Sequence, residues 1–195
     1  MTDVLTFTRE FVRAPWTTAS PLPTSSTACD VALAPLPEHG DPVVLELGAG
    51  AGATSAVVQR RLGARGRHLA VEVNPRLAAV LARRFPAVEV ICDEAVDALA
   101  DLDARGTRVD LVFSTLPLSL AEDRGFLTAA GALLAPGGAL SQVQHSWARL
   151  LPWAREAEQA LHEAFEEVVV SRTVWRNAPP ATVTIARRPR LARPS

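Results

Sequence analysis

Three glycines at alternate positions, with an acid ahead of them, are the residues whose type and spacing could hold a ligand. An apolar run at residues 43–47 predicts a buried parallel strand, and residues 55–62 predict a helix. Gly48, Gly50 and Gly52 lie between the two. Glycine lets a chain turn sharply out of a strand and lets a ligand approach the backbone closely. Because the first N–H groups of a helix lack partners within it, the segment predicts a site for a nucleotide-type cofactor.

Two classes of cofactor fit this turn, and Glu46 decides between them. Gly48, Gly50 and Ala53 formally meet the G-x-G-x-x-G/A pattern of nicotinamide and flavin sites. The pattern Glu46-x-Gly48-x-Gly50-x-Gly52 resembles the first motif of class I S-adenosylmethionine-dependent methyltransferases. An acid two residues before the first glycine suits the ammonium and sulfonium charges of S-adenosylmethionine and would repel a pyrophosphate. The motif therefore favours S-adenosylmethionine, the alternative role of Glu46 being to cap nearby backbone N–H groups.

Two further acids follow predicted strands. Glu72 lies 20 residues after Gly52, the spacing at which a βαβ unit places a carboxylate on the ribose hydroxyls. Asp93 follows the strand predicted at residues 88–92, where the methyltransferase pattern places the contact with the adenine amino group. Capping of the next helix is the alternative for Asp93. The predicted cofactor-binding residues are Glu46, Gly48, Ala49, Gly50, Gly52, Glu72, Val73, Asp93, Glu94 and Ser114.

The loop after the fourth predicted strand is the candidate wall of the site. The strand at residues 109–113 leads into Ser114-Thr115-Leu116-Pro117-Leu118. In open α/β sheets, ligands lie at strand ends beside the first strand. Leu116 and Pro117 could therefore form a stiff wall beside the transferred group, although a plain connecting loop explains them equally well.

Strands alternate with helices along most of the chain, which predicts an α/β fold. Five strand–helix steps precede two strands, at residues 168–175 and 181–185, that are predicted to pair as a hairpin. The prediction is a Rossmann-like, mostly parallel seven-stranded sheet with an antiparallel last strand. Three parts are predicted: an amino-terminal helical lid or substrate segment at residues 1–38, the cofactor-binding core at 39–186 and a basic tail at 187–195.

Composition narrows the classes of function. The 195 residues suffice for one core but leave little chain for the second domain of a dehydrogenase. A net charge of −1 argues against nucleic acid as the partner. Cys29 and Cys92 lack metal-ligand spacing, which predicts no metal and a reduced, cytoplasmic setting. No apolar run approaches the roughly 18 residues that span a bilayer, so membrane contact would be peripheral, on the inner face.

The first sixteen residues predict a short amphipathic helix. Val4, Leu5, Phe7, Phe11 and Val12 share one face of it, and polar residues share the other. The segment is predicted to be a lid packed on the core, a helix that lies on a membrane surface, or both.

With these motifs, the chain resembles class I methyltransferases over residues 40–186 and, more narrowly, the bacterial phospholipid N-methyltransferases, which methylate phosphatidylethanolamine. The narrower resemblance rests on residues 11–15 with 23–26, on residues 114–118, and on residues 174–181, which carry an asparagine and paired prolines. The chain departs from that family at Gln144-His145-Ser146-Trp147, where the family has an aromatic-rich stretch ending in tyrosine. The resemblance implies S-adenosylmethionine as cofactor and a phospholipid or small amine as acceptor.

An amine acceptor needs a group that takes its proton. An ethanolamine nitrogen has a free pKa of about 10 and must be neutral to attack. His145, at the end of the strand predicted at residues 139–145, is the candidate catalytic residue, and a purely structural hydrogen-bonding role is its alternative. Asn177 could orient the amine or cap the hairpin turn. The predicted substrate-binding residues are Leu116, Pro117, Trp147 and Asn177.

Three other functions stay open. Ribosomal RNA adenine dimethyltransferases share the loop shape, but Ser114 or Thr115 stands at their asparagine and Leu118 replaces the aromatic that stacks a base. A small-molecule biosynthetic methyltransferase would use the same cofactor site. A cofactor-binding protein that no longer methylates is the third.

Overall fold

The computed structural model describes residues 24–117 and 124–190. The amphipathic segment with its lid or membrane role, Leu118 and the last residues of the tail lie outside these ranges. Across the described helices, none is long and apolar enough to cross a membrane.

Seven strands form one sheet in the order β3-β2-β1-β4-β5-β7-β6. Pairing is parallel from β3 to β5, and β7 runs antiparallel to both of its neighbours. The predicted sheet, mostly parallel with an antiparallel last strand, is confirmed. The strands are β1 (Val43–Leu47), β2 (Arg67–Val71), β3 (Glu89–Ile91), β4 (Val109–Ser114), β5 (Leu134–His145), β6 (Phe165–Val170) and β7 (Ala181–Pro189).

Helices cover both faces of the sheet. Ser25 caps α1, because its hydroxyl accepts the Ala28 N–H. Asn74 caps α3 and is followed by Pro75, a residue suited to the first helical position. The helices are α1 (Ser26–Ala32), α2 (Ala53–Leu62), α3 (Pro75–Arg84), α4 (Ala95–Ala104), α5 (Arg124–Ala132) and α6 (Trp153–Ala164), with a 3-10 turn at Ser146–Leu150.

Strand alternation sends β1 side chains to two different cores. Leu45 and Leu47 pack in the cluster that holds Leu99 and Phe126. Val44 packs in the opposite cluster, which contains residues of α1 and α2. Since successive strand residues face opposite sides, Glu46 points with Val44 toward α2. The alternation therefore buries an acid directly beneath the glycine turn.

The last two strands differ from their predicted bounds. The Ser171 hydroxyl accepts the Val183 N–H, so a side chain replaces the backbone acceptor and β6 ends at Val170 rather than at residue 175. Val174 rejoins through an isolated bridge to Ala181. β7 continues to Pro189, past its predicted end at residue 185, because its last residue still pairs with Phe165.

Candidate cofactor and acceptor site

The glycine turn has a backbone that side chains seldom adopt. Gly48, Gly50 and Gly52 have φ values of 80°, 57° and 91°. A Cβ at Gly52 would lie 2.5 Å from Cε2 of Phe85, and one at Gly48 would lie 2.8 Å from Cδ2 of Leu116. Conformation and crowding both select glycine at these two positions. The turn, with the buried Ala49 inside it, is thus wedged between α3 and the loop after β4.

Glu72 lies against this turn, as its spacing predicts. Its side chain is buried; one carboxylate oxygen accepts the Gly50 N–H at 2.8 Å and the other the Asn74 N–H at 2.9 Å. Burial raises the pKa of the Glu72 carboxyl, the charge of Glu46 adds to this rise, and the two N–H groups oppose it. Each oxygen has a second lone pair. The carboxylate can therefore accept two hydroxyl donors of a cis-diol at the edge of the turn.

Glu46 is fully buried one residue before the end of β1. Its oxygens accept the hydroxyls of Thr54 and Ser55, which begin α2, and His68 Nε2 lies 2.9 Å away. Gln59 Nε2 lies 3.0 Å from His68 Nδ1; since an amide nitrogen only donates, the network assigns the ring proton to Nε2. Glu46 therefore binds side chains and not the backbone N–H groups of the predicted capping alternative. Direct contact of Glu46 with the cofactor stays a prediction.

The side-chain partners of Glu46 were not predicted from the sequence. His68 and Glu46 occupy alternate positions on adjacent strands, since Val44 is in register with His68 and Glu46 with Ala70. Their side chains share a face, so the signal existed once β1 and β2 were paired. The network connects β1, β2 and the first turn of α2, and so holds both ends of the glycine turn.

The predicted adenine side is placed at the same edge of the sheet. Val73 and Asp93 follow β2 and β3, which pair in parallel, and the Glu72 N–H donates to Ile91 O at 3.0 Å. Asp93 is exposed and accepts the N–H of Glu94, the residue before α4. This bond goes to the residue before the helix and not to an N–H of α4, so it is not the predicted helix cap, and the contact of Asp93 with adenine stays a prediction.

The loop after β4 is fastened to the turn. The buried Ser114 accepts the Leu116 N–H at 3.3 Å, and Thr115 donates to Gly48 O at 3.0 Å. Gln142, buried on β5 opposite Ser114, donates to Leu116 O at 2.6 Å. The structure therefore brings Leu116 against the glycine turn as a wall, with Pro117 exposed beyond it. Gln142 was missed, although a polar residue inside an apolar strand is a signal of a buried hydrogen bond.

His145 ends β5 at this same edge. Its ring is half-buried and stacks on Trp147, with centroids 6.2 Å apart and planes 14° apart. Burial lowers the pKa of His145 below its ordinary value, and a hydrogen bond with the Pro179 backbone opposes this shift. The imidazole is therefore neutral near pH 7, the form that can accept a proton.

Asn177 is buried between two chain segments. Its Oδ1 accepts the Ser25 N–H at 2.7 Å, and its Nδ2 donates to Pro179 O at 2.6 Å. These bonds join the start of α1 to the connection between β6 and β7, so the turn-capping alternative is realised. The predicted contact of Asn177 with an acceptor stays a prediction. Throughout the described ranges, no group of three or more His, Cys, Asp or Glu residues could hold a metal ion.

The chain is similar in sequence to known methyltransferases. Residues 44–138 match the family model described as "Methyltransferase domain". The chain is also similar to an ornithine lipid N-methyltransferase of Singulisphaera acidiphila, at 28% identity over 188 residues, covering 93% of this chain and 94% of that protein.

Solved structures support the fold. An O-methyltransferase from Bacillus cereus in complex with SAH has a TM-score of 0.69 at 14% identity, over 96% of this chain and 91% of that one. Human methyltransferase-like protein 13 in complex with SAH also has a TM-score of 0.69, at 16% identity, over 87% and 84% of the two chains. The Rossmann-like class I methyltransferase fold predicted from the sequence is confirmed.

Proposed function

We propose that this class I S-adenosylmethionine-dependent methyltransferase methylates the primary amine of a lipid, phosphatidylethanolamine or a related amine-bearing lipid. The observation that carries the proposal is the similarity to an ornithine lipid N-methyltransferase. That similarity extends over 93% of the chain, far beyond the methyltransferase-domain match at residues 44–138, and so includes the segments around His145 and Asn177. A lipid amine is the acceptor that fits both this relative and the neutral histidine at the sheet edge.

The described residues fit S-adenosylmethionine. Glu72 lies against the glycine turn, where it accepts the Gly50 N–H, and a second lone pair on each of its carboxylate oxygens remains for ribose hydroxyls. Val73, Asp93 and Glu94 border the adenine side, and the charge of Glu46 lies beneath the turn. When bound, S-adenosylmethionine would supply a methyl group on a positively charged sulfur, and the amine nitrogen would bond to the methyl carbon as the carbon–sulfur bond breaks.

The chain's own residues align the acceptor and remove its proton. Alignment supplies much of the rate gain in such a displacement. Leu116 and Pro117 form the wall that limits the acceptor's approach, and Trp147, in the 3-10 turn after β5, borders the entrance. An apolar setting lowers the pKa of an amine, because burial disfavours the ammonium. The neutral imidazole of His145 then takes the proton, leaving the nitrogen lone pair free to attack.

Replacing Glu72 by glutamine should weaken cofactor binding by about 1.5–3 kcal/mol, or roughly 10- to 150-fold. The amide nitrogen of glutamine cannot accept the N–H of Gly50 or Asn74, and the ribose loses a charged acceptor. The cofactor affinity of the unaltered protein should fall as the pH drops through the raised pKa of Glu72. This fall should begin at a higher pH than the pKa of an ordinary glutamate, which is about 4.3. Ribose bonds favour the carboxylate, so protonation opposes binding. Calorimetric titration across pH measures both effects.

The matched control for this variant is Glu38→Gln, which removes one exposed carboxylate away from the turn. It should bind the cofactor like the unaltered protein at every pH. Equal affinity for Glu72→Gln and Glu38→Gln would mean that the ribose site lies elsewhere.

Mass spectrometry of lipid products tests the function itself. Vesicles containing phosphatidylethanolamine, ornithine lipid, or neither are incubated with the protein and isotopically labelled S-adenosylmethionine. We expect labelled methyl groups on an amine-bearing lipid and none on phosphatidylcholine alone. Transfer to free ethanolamine but to neither lipid would instead identify a small-molecule methyltransferase. Cofactor binding without transfer to any amine would contradict the proposal and favour a non-catalytic role.

A further inference from the structure

We propose that an exposed patch at the end of the sheet docks on the surface of an anionic lipid bilayer. The inference rests on the proposed function, because it names the surface from which a lipid acceptor reaches the site. The patch, called here the tryptophan patch, consists of Trp147, Leu150, Trp175, Arg149, Arg172 and Arg176.

Two segments carry this patch, and β7 places them together. Ala181 at the start of β7 pairs with His145 on one side and with Val174 on the other. Since neighbouring strands lie about 4.8 Å apart, the backbones at His145 and Val174 are roughly 10 Å from each other. The Ser146 N–H also donates to Pro180 O at 2.8 Å. The 3-10 turn that follows His145 and the connection around Trp175 therefore lie at one end of the sheet.

Large apolar side chains on these segments face outward. Trp147 is 52% exposed, Leu150 86% and Trp175 79%, whereas their neighbours Ala148 and Val174 are buried. Ala148 and Val174 thus pack against the core, and the large side chains beside them stay in solvent. Clustered exposed apolar groups mark interaction surfaces rather than ordinary surface residues. Tryptophan in particular prefers the boundary between water and lipid.

The charge around the patch selects an anionic partner. Residues 142–155 and residues 168–181 each contain two arginines and no acid, although the whole chain has a net charge of −1. Arg149, Arg172 and Arg176 on these segments are exposed. Arginines near an anionic membrane surface are attracted to it, and salt screens that attraction. Positive charge around exposed tryptophan matches an anionic bilayer better than a neutral one.

The patch also lies at the edge of the sheet that carries the site. Leu47, Ser114 and Gln142 are in register across β1, β4 and β5, and the glycine turn starts directly after Leu47. His145 lies three residues beyond Gln142 on β5, which extends that edge by roughly 10 Å. The tryptophan patch follows His145 and so stands beyond the glycine turn. A bilayer against it would face the predicted acceptor side.

Sedimentation with vesicles tests the patch, using phosphatidylcholine alone and equal parts of phosphatidylcholine and phosphatidylglycerol. The full chain should bind the anionic vesicles, less so as salt rises. Leu150→Ser with Trp175→Ser should weaken this binding at least tenfold, and Arg149, Arg172 and Arg176 changed to glutamine should remove most of its salt dependence. The matched controls are Val96→Ser, exposed on α4, and Arg61, Arg83 and Arg105 changed to glutamine. Both controls should bind vesicles like the unaltered protein.

Three results would contradict the proposed docking on lipid. The unaltered protein does not bind anionic vesicles at low salt, or the patch variants bind vesicles as well as the unaltered protein. The third is that the unaltered protein is a dimer and the patch variants are monomers. The last would show a second copy as the occupant. Calorimetric titration with S-adenosylmethionine should give one affinity for all variants, which excludes misfolding.

A detergent-dispersed acceptor separates this inference from the proposed function. Patch variants should methylate dispersed lipid amine at the unaltered rate and vesicle lipid at least tenfold more slowly. If neither the unaltered protein nor any variant methylates a lipid, but vesicle binding still requires the tryptophan patch, the docking surface is supported and the proposed acceptor is wrong. If all proteins methylate vesicle lipid at the same rate, the proposed acceptor is supported and the docking surface is overturned.

Discussion

Replacing Gly52 by valine should abolish measurable cofactor binding and lower the free energy of unfolding by about 2–6 kcal/mol. Gly52 has a φ of 91° at the start of α2, a conformation that strains a branched residue by about 1–3 kcal/mol. Its Cβ would also lie 2.7 Å from Cδ1 of Leu81 and closer still to Phe85, which adds about 1–3 kcal/mol of overpacking. Relief of the backbone strain or of the overpacking would move the glycine turn away from α3. Denaturant unfolding and calorimetric titration measure the two losses.

Gly106→Val separates backbone strain from crowding. Gly106 has a φ of 69°, but a Cβ there meets nothing within 4 Å. This control should lose only the conformational part of the stability and should bind the cofactor normally. Normal cofactor binding by Gly52→Val would refute the placement of the cofactor on the glycine turn.

Replacing His145 by glutamine should lower kcat with a lipid acceptor by about 10²–10⁴-fold, the range removed with a general base. Glutamine keeps a hydrogen-bonding side chain but cannot take a proton at neutral pH. Cofactor affinity should change little, because the glycine turn and Glu72 follow β1 and β2, whereas His145 ends β5.

The pH profile distinguishes proton transfer from a structural role of His145. Burial lowers the pKa of this imidazole, so kcat of the unaltered enzyme should fall only on the acid side of pH 6.5, as the ring becomes protonated. That acid limb should disappear in His145→Gln and persist in the control His162→Gln, an exposed histidine on α6. An unchanged kcat in His145→Gln would assign the ring to packing against Trp147 alone.

The fold and the cofactor turn followed from local sequence. The apolar run of β1 marks a strand buried on both faces, and the positive φ at three positions explains why glycine recurs there. The spacing from Gly52 to Glu72 is set by the length of one helix and one strand. Each of these features depends on residues near one another in the chain, so periodicity and spacing could predict them.

Strand ends were predicted less well. An apolar pattern continues to Trp175, yet β6 stops at Val170, because the Ser171 side chain takes a ladder position opposite Val183. Apolar character also suggested nothing about which side chains stay exposed. Trp153 is partly covered and Trp175 is 79% exposed, a difference set by what packs over each segment.

The roles of the polar site residues were decided by tertiary structure. Asn177 binds the backbone of Ser25, 152 residues away, and Gln142 reaches the loop after β4 because β5 lies beside β4. Glu46 meets His68 for the same reason, through the pairing of β1 with β2. A buried polar group must find a partner, but sequence alone does not say which strand will be its neighbour. The sequence therefore determined which residues could do chemistry, and the order of strands in the sheet decided which of them are held by the protein itself.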